Sequence, residues 1–151
     1  MTAALDTNVL AYAEGTNGAE MKGRALALLG KLPADSVVIP VQALGELFNV
    51  LVRKARRDGA DARAAILSWH DAYLTVPTSA AVMARAADLA ADHRLSIWDA
   101  VILAAAADGG CRLLLSEDLQ DGFTWGGLTV VNPFASEPNQ LLAALIDTGE
   151  A

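Results

Sequence analysis

Apolar residues fall along this chain in two rhythms. Five short segments, residues 3–7, 37–39, 74–77, 112–116 and 128–132, read as strands, and within 3–5, 37–39 and 113–115 every residue is apolar. Runs of that length without alternation suit strands of a parallel sheet covered on both faces. Between them, apolar positions recur every three or four residues. That spacing predicts helices over 8–13, 19–32, 41–55, 62–73, from the Ser79 cap to about 93, 96–108 and 138–146. In the helix over 41–55, Leu44, Leu47, Phe48, Leu51 and Val52 form the core face, and Gln42, Glu46, Asn49 and Arg53 form a polar stripe. Leu67 and Met83 are read as apolar members of their helices. Pro33, Gly109 with Gly110, and Pro133 end elements, and Asp61 is read as the N-cap after the turn at 58–61. The tail beyond 146 reads as frayed. Strand and helix alternate throughout, which predicts a three-layer α/β/α sandwich with a mainly parallel central sheet. No repeat, linker or boundary interrupts it, so residues 1–151 read as a single domain.

The most apolar helix, 96–108, reads as buried, with Ile97, Trp98, Val101, Ile102 and Ala105 at helical spacing; it opens on Ser96-Ile97-Trp98-Asp99 and carries a charge in its first turn, Asp99. Two explanations stand side by side. Ser96 and Asp99 resemble a capping box, and an acid there suits the helix dipole. Alternatively, Asp99 points into a site that needs it.

Composition narrows the classes. A length of 151 residues supports one core, and 54% hydrophobic residues exclude a disordered chain. No apolar run approaches the about 18 residues of a membrane span. The start, Met1 to Asp6, lacks the basic segment of a signal peptide. The single cysteine, Cys111, reads as a buried thiol, and with it a reducing, cytoplasmic setting. A net charge of −7 argues against DNA binding driven by overall charge, yet leaves room for a nucleic-acid enzyme whose acids hold cations.

Four acids then stand out. Asp6 and Asp118 each follow an apolar strand, where open α/β sheets place ligands. Glu46 and Asp99 sit on otherwise hydrophobic helices. Each also has a plain structural explanation: Asp6 as an N-cap, Asp118 as turn chemistry, Glu46 as a solvated residue. Gathered at one sheet edge, however, such carboxylates repel unless a cation neutralises them, and oxygen-only ligands suit Mg²⁺ or Mn²⁺. Phosphate-binding glycine motifs, a serine elbow, cysteine pairs and HExxH are absent from the sequence. His70 and His93 read as structural. Arg53, Lys54, Arg56 and Arg57 hold four of the eleven basic residues; they form either a solvated helix end or a phosphate-contacting patch.

Four segments in order carry a resemblance: Leu5-Asp6-Thr7-Asn8-Val9-Leu10, Ala43-Leu44-Gly45-Glu46-Leu47, Leu95-Ser96-Ile97-Trp98-Asp99-Ala100, and Leu115-Ser116-Glu117-Asp118-Leu119-Gln120-Asp121-Gly122. Together they resemble the PIN-domain family, and within it the VapC-like toxins of bacterial toxin–antitoxin pairs. The resemblance implies a metal-dependent endoribonuclease using Mg²⁺, with Mn²⁺ as substitute. Asp6, Asp99 and Asp118 become metal ligands, and Glu46 a ligand or the residue that orients the attacking water. Thr7, Asn8 and Ser116 support them, and Asp121 is a further acid. It also implies an RNA substrate, a homodimer and a small antitoxin protein. Two other readings remain: a PIN nuclease of RNA processing without an antitoxin, and a non-catalytic α/β interaction module.

Overall fold

The computed structural model describes residues 1–148. The sheet consists of β1 (Ala3–Leu5), β2 (Val37–Pro40), β3 (Leu74–Val76), β4 (Leu113–Leu115), β5 (Thr124–Trp125) and β6 (Leu128–Val131). The helices are α1 (Thr7–Ala13), α2 (Gly18–Lys31), α3 (Val41–Arg53), α4 (Gly59–Ala72), α5 (Ala80–His93), α6 (Ile97–Asp108) and α7 (Gln140–Thr148). The strand order is β3-β2-β1-β4-β6-β5. Every neighbouring pair is parallel except β5 with β6. That last pair is a hairpin absent from the sequence reading. Its turn, Gly126 and Gly127, has positive φ at both positions (56° and 81°), the geometry glycine permits and a type I′ hairpin needs.

The residues of β1, β2 and β4 are buried throughout, as a sheet packed on both faces requires. Of the helices, α6 is the most enclosed. Seven successive residues, Ala100 to Ala106, are buried, so no face of that stretch reaches water. The small alanines let it lie close to α5, β2 and β6. Its end at Gly109 is equally tight, since a Cβ there would sit 2.9 Å from Val76 Cγ1. No helix among the described residues is long and apolar enough to cross a membrane.

Several boundaries and faces differ from the sequence reading. Asp58, rather than Asp61, caps α4: its carboxylate accepts from the Asp61 backbone N–H. The last helix continues through residues 147 and 148, which the sequence reading left in the tail; residues 149–151 lie outside the described part. Phe48, Leu67, Met83 and Trp98 are exposed rather than inward. Phe48 and Leu67 line an apolar groove between the contacting helices α3 and α4, together with Leu44 and Ile66.

Candidate functional site

Strand register creates this site. Leu5 pairs with Leu115 across the parallel β1–β4 ladder, so residues 6 and 116 leave the sheet side by side. The Asp6 backbone N–H still donates to the Leu115 carbonyl at 3.0 Å. The Ser116 hydroxyl therefore reaches Asp6 Oδ2 at 2.7 Å, while Asp6 Oδ1 accepts from the Thr7 backbone N–H at 2.7 Å and caps α1. Asn8, on the first turn of α1, donates from Nδ2 toward Ser116 Oγ at 3.3 Å and Asp6 Oδ2 at 3.4 Å. Its Oδ1 accepts from the Glu117 backbone N–H at 3.1 Å. Ser116 Oγ in turn accepts from the Leu119 backbone N–H at 3.2 Å. Among the described residues, Asp6, Asn8 and Ser116 make up the whole buried polar set. All of it is spent on fixing one carboxylate and the root of one loop. Buried polar groups are tolerated only when bonded in this way.

The other acids approach from helices and from that loop. On α3, Glu46 accepts a 2.6 Å hydrogen bond at Oε2 from the Thr7 hydroxyl, which ties α3 to the start of α1. Asp99 lies in the first turn of α6, whose N-cap is Ser96; the Ser96 hydroxyl accepts from the Asp99 backbone N–H at 3.1 Å. The cap is thus Ser96, and the Asp99 carboxylate remains half-buried beside the acids. Asp118 is exposed on the loop after β4.

Electrostatics couples these groups. Burial pushes the Asp6 carboxyl up to about 6, from an ordinary value of 3.8. The bonds from Ser116 and Thr7 oppose that rise, and the charges of Asp99 and Glu46 add to it. The Asp99 carboxyl is also raised, mainly by burial, with Ser96 opposing and the Asp118 charge adding. None of the four acids has a cationic partner: the ion pairs among the described residues are Arg57–Glu14, Arg85–Asp108 and His70–Asp71. No three carboxylate, imidazole or thiol groups among the described residues converge tightly enough to ligate one ion unaided. The oxygen-only donor set is nonetheless of the kind that suits a hard cation such as Mg²⁺, which takes one or two carboxylates and fills its remaining positions with water and substrate oxygens.

The remaining sequence candidates separate clearly. Asp121 turns its Oδ1 to the Asn132 backbone N–H at 2.9 Å, pinning its loop to the end of β6. Arg57 is committed to Glu14, donating from Nη1 to the carboxylate and from Nη2 to the backbone carbonyl, both at 2.7 Å; its guanidinium is not available to a phosphate. The same Glu14 accepts from Trp69 Nε1 at 3.0 Å. Arg53 and Arg56 are exposed. Lys54 lines a cleft of about 350 Å³ that also touches Thr7, Asn8 and Asp118. His70 and His93 are exposed, away from any such cluster.

Sequence reasoning missed Tyr12 and Glu117. The Tyr12 hydroxyl donates to Glu117 Oε1 at 2.7 Å, and burial with that bond pushes the phenol up to about 12. Tyr12 lies one helical turn beyond Asn8, so both hold the loop that bears Asp118. That spacing was visible in the sequence; its target was not.

The family model described as the PIN domain matches residues 3–120, nearly all of the chain up to the Asp118 loop. Solved structures agree with the fold. The sarcin–ricin-loop cleaving toxin VapC20 of Mycobacterium tuberculosis is 21% identical with a TM-score of 0.65, covering 78% of this chain and 90% of its own. A toxin–antitoxin complex from Klebsiella pneumoniae is 23% identical with a TM-score of 0.65, covering 88% and 98%. VapBC2 of Rickettsia felis, bound to a DNA fragment from its promoter, is 16% identical with a TM-score of 0.63, covering 86% and 97%. A comparison with curated protein sequences found no match. With four acids gathered at the carboxyl edge of a parallel sheet and a family model spanning residues 3–120, the chain belongs to the PIN-domain family.

Proposed function

We propose that this protein is a divalent-metal-dependent endoribonuclease acting as the toxin of a toxin–antitoxin pair. The observation that carries the reading is an acidic cluster, partly buried, with no cation of its own. Asp6, Asp99 and Asp118 would hold Mg²⁺ or Mn²⁺, directly or through its water ligands, and Asp121 keeps its loop in place. When bound, the cation supplies Lewis-acid polarisation of the phosphodiester and eases deprotonation of a water. The chain's own residues do the rest. Ser116 and the Thr7 backbone N–H hold Asp6 in one orientation. Thr7 holds Glu46 by Oε2, which leaves Oε1 to accept a proton from the attacking water.

The toxin assignment draws on the similar structures, two of which are toxin–antitoxin assemblies by name. A small antitoxin protein whose tail covers the acidic site, and a second copy of the chain, complete the proposed assembly. Purified protein incubated with a panel of structured RNAs should cleave in Mg²⁺ or Mn²⁺ and be silent in EDTA. Full activity in EDTA would sink the reading.

A further inference from the structure

An RNA laid across this site meets a difficulty. Four acids without a cationic partner repel a polyanion, and the chain carries a net charge of −7. A cation in the site neutralises the scissile phosphate only. The phosphates on either side need their own.

The cleft beginning at Asp118 supplies one. Its walls come from α1, from the connection into α2, and from the end of α3. Thr7, Asn8 and Asp118 also belong to the acidic site, so the cleft adjoins it. Its volume of about 350 Å³ falls in the range of small-ligand sites. The Tyr12 ring and Val50 give it an apolar part, and Asn17 a side-chain amide that makes no capping bond to α2. Lys54, at the C-cap of α3, is the one basic side chain among its lining residues. It is exposed and forms no ion pair among the described residues, whereas Arg57, three positions on, is held by Glu14.

Building on the ribonuclease reading, we infer that this cleft is a subsite for the nucleotide next to the scissile bond, with Lys54 contacting that nucleotide's phosphate. The ribose or base lies against Tyr12 and Val50. Lys54 stands outside the acidic cluster, so it acts on binding and leaves the chemical step alone. A protein side chain as occupant is less suited, since the cation and the apolar wall together match a nucleotide's own division into phosphate and ring.

The test uses full-length protein and a short fluorescein-labelled single-stranded RNA that the wild type cleaves. Lys54→Ala should raise KM about tenfold while kcat stays within about twofold, and Lys54→Arg should restore most of the loss. The slope of log Kd against log salt, measured by anisotropy in the Glu46→Gln background, should fall by about 0.7 in magnitude. Lys31→Ala removes an equal charge at the end of α2, outside this cleft, and should change neither. If Lys54→Ala matches the wild type in KM and salt slope while the wild type cleaves normally, the subsite is overturned and the ribonuclease reading stands. If KM rises equally in Lys31→Ala, the effect is one of overall charge, and the subsite is again overturned. A wild type that neither binds nor cleaves any RNA overturns both.

Discussion

The two sides of the acidic site are built differently. Asp6 is buried, hydrogen-bonded through both oxygens and fixed by strand register. Asp118 is exposed, and its place depends on a loop that Asn8 and Tyr12 hold by way of Glu117. One side is positioned by the sheet itself and the other by side chains: Asn8 and Tyr12 of α1, with Ser116 and Asp121 bonding within the loop and to the end of β6. A carboxyl raised to about 6 binds a proton more readily than a free one, because burial makes its ionised form costly.

The largest effect separating the sides should come from the chemistry. Glu46→Gln is expected to lower kcat about a hundredfold or more with little change in Tm, because the amide still accepts from Thr7 while losing the basic oxygen. An active variant would return Glu46 to the solvated stripe. Asn8→Ala, which removes three bonds at the junction of the two sides, should reduce stability by about 2–3 kcal/mol in urea titrations and weaken cleavage as well. Tyr12→Phe removes only the tether on Glu117. It should reduce kcat about two- to fivefold and leave Tm within about 2 °C; an effect as large as that of Glu46→Gln would mean that the two sides are not distinct.

Acidity offers a smaller and sharper separation. The Asp6 carboxyl binds a proton more tightly in the folded chain than in the unfolded one. Its contribution to metal-free stability is therefore full below about pH 4 and is lost as pH rises through about 6. The difference in unfolding free energy between wild type and Asp6→Asn, measured in EDTA from pH 4 to 8, should shift in favour of the variant by about 1–2 kcal/mol across that window. A constant difference would show that Asp6 titrates normally.

Much of this was legible in the sequence. Uninterrupted apolar runs gave β1, β2 and β4, because strands covered on both faces leave no polar position to confuse the pattern. The fully apolar α6 was equally plain. The exposed Phe48, Leu67, Met83 and Trp98 were misread for the opposite reason: helical periodicity tells which face is apolar, and not whether another element arrives to cover it. The β5–β6 hairpin was missed because a two-residue strand has no periodicity to read, although Gly126-Gly127 marked its turn. The acids were found as positions along the chain. Their mutual arrangement, the committed guanidinium of Arg57 and the Tyr12–Glu117 tether depend on contacts across 43 and 105 residues, which no local pattern contains.

If the acids form a cation site, they do so at the expense of the metal-free fold, where their charges repel. Thermal melts of wild type, Asp6→Asn and Asp99→Asn, in EDTA and against rising Mn²⁺, test it directly. The wild type should gain Tm with Mn²⁺ along the curve RT ln(1 + [L]/Kd). Both variants should melt at or above the wild type in EDTA and gain little or nothing from the metal. Variants that melt lower in EDTA and still gain the full Mn²⁺ increment would make Asp6 and Asp99 structural residues of the helix starts, and the cation site would be refuted.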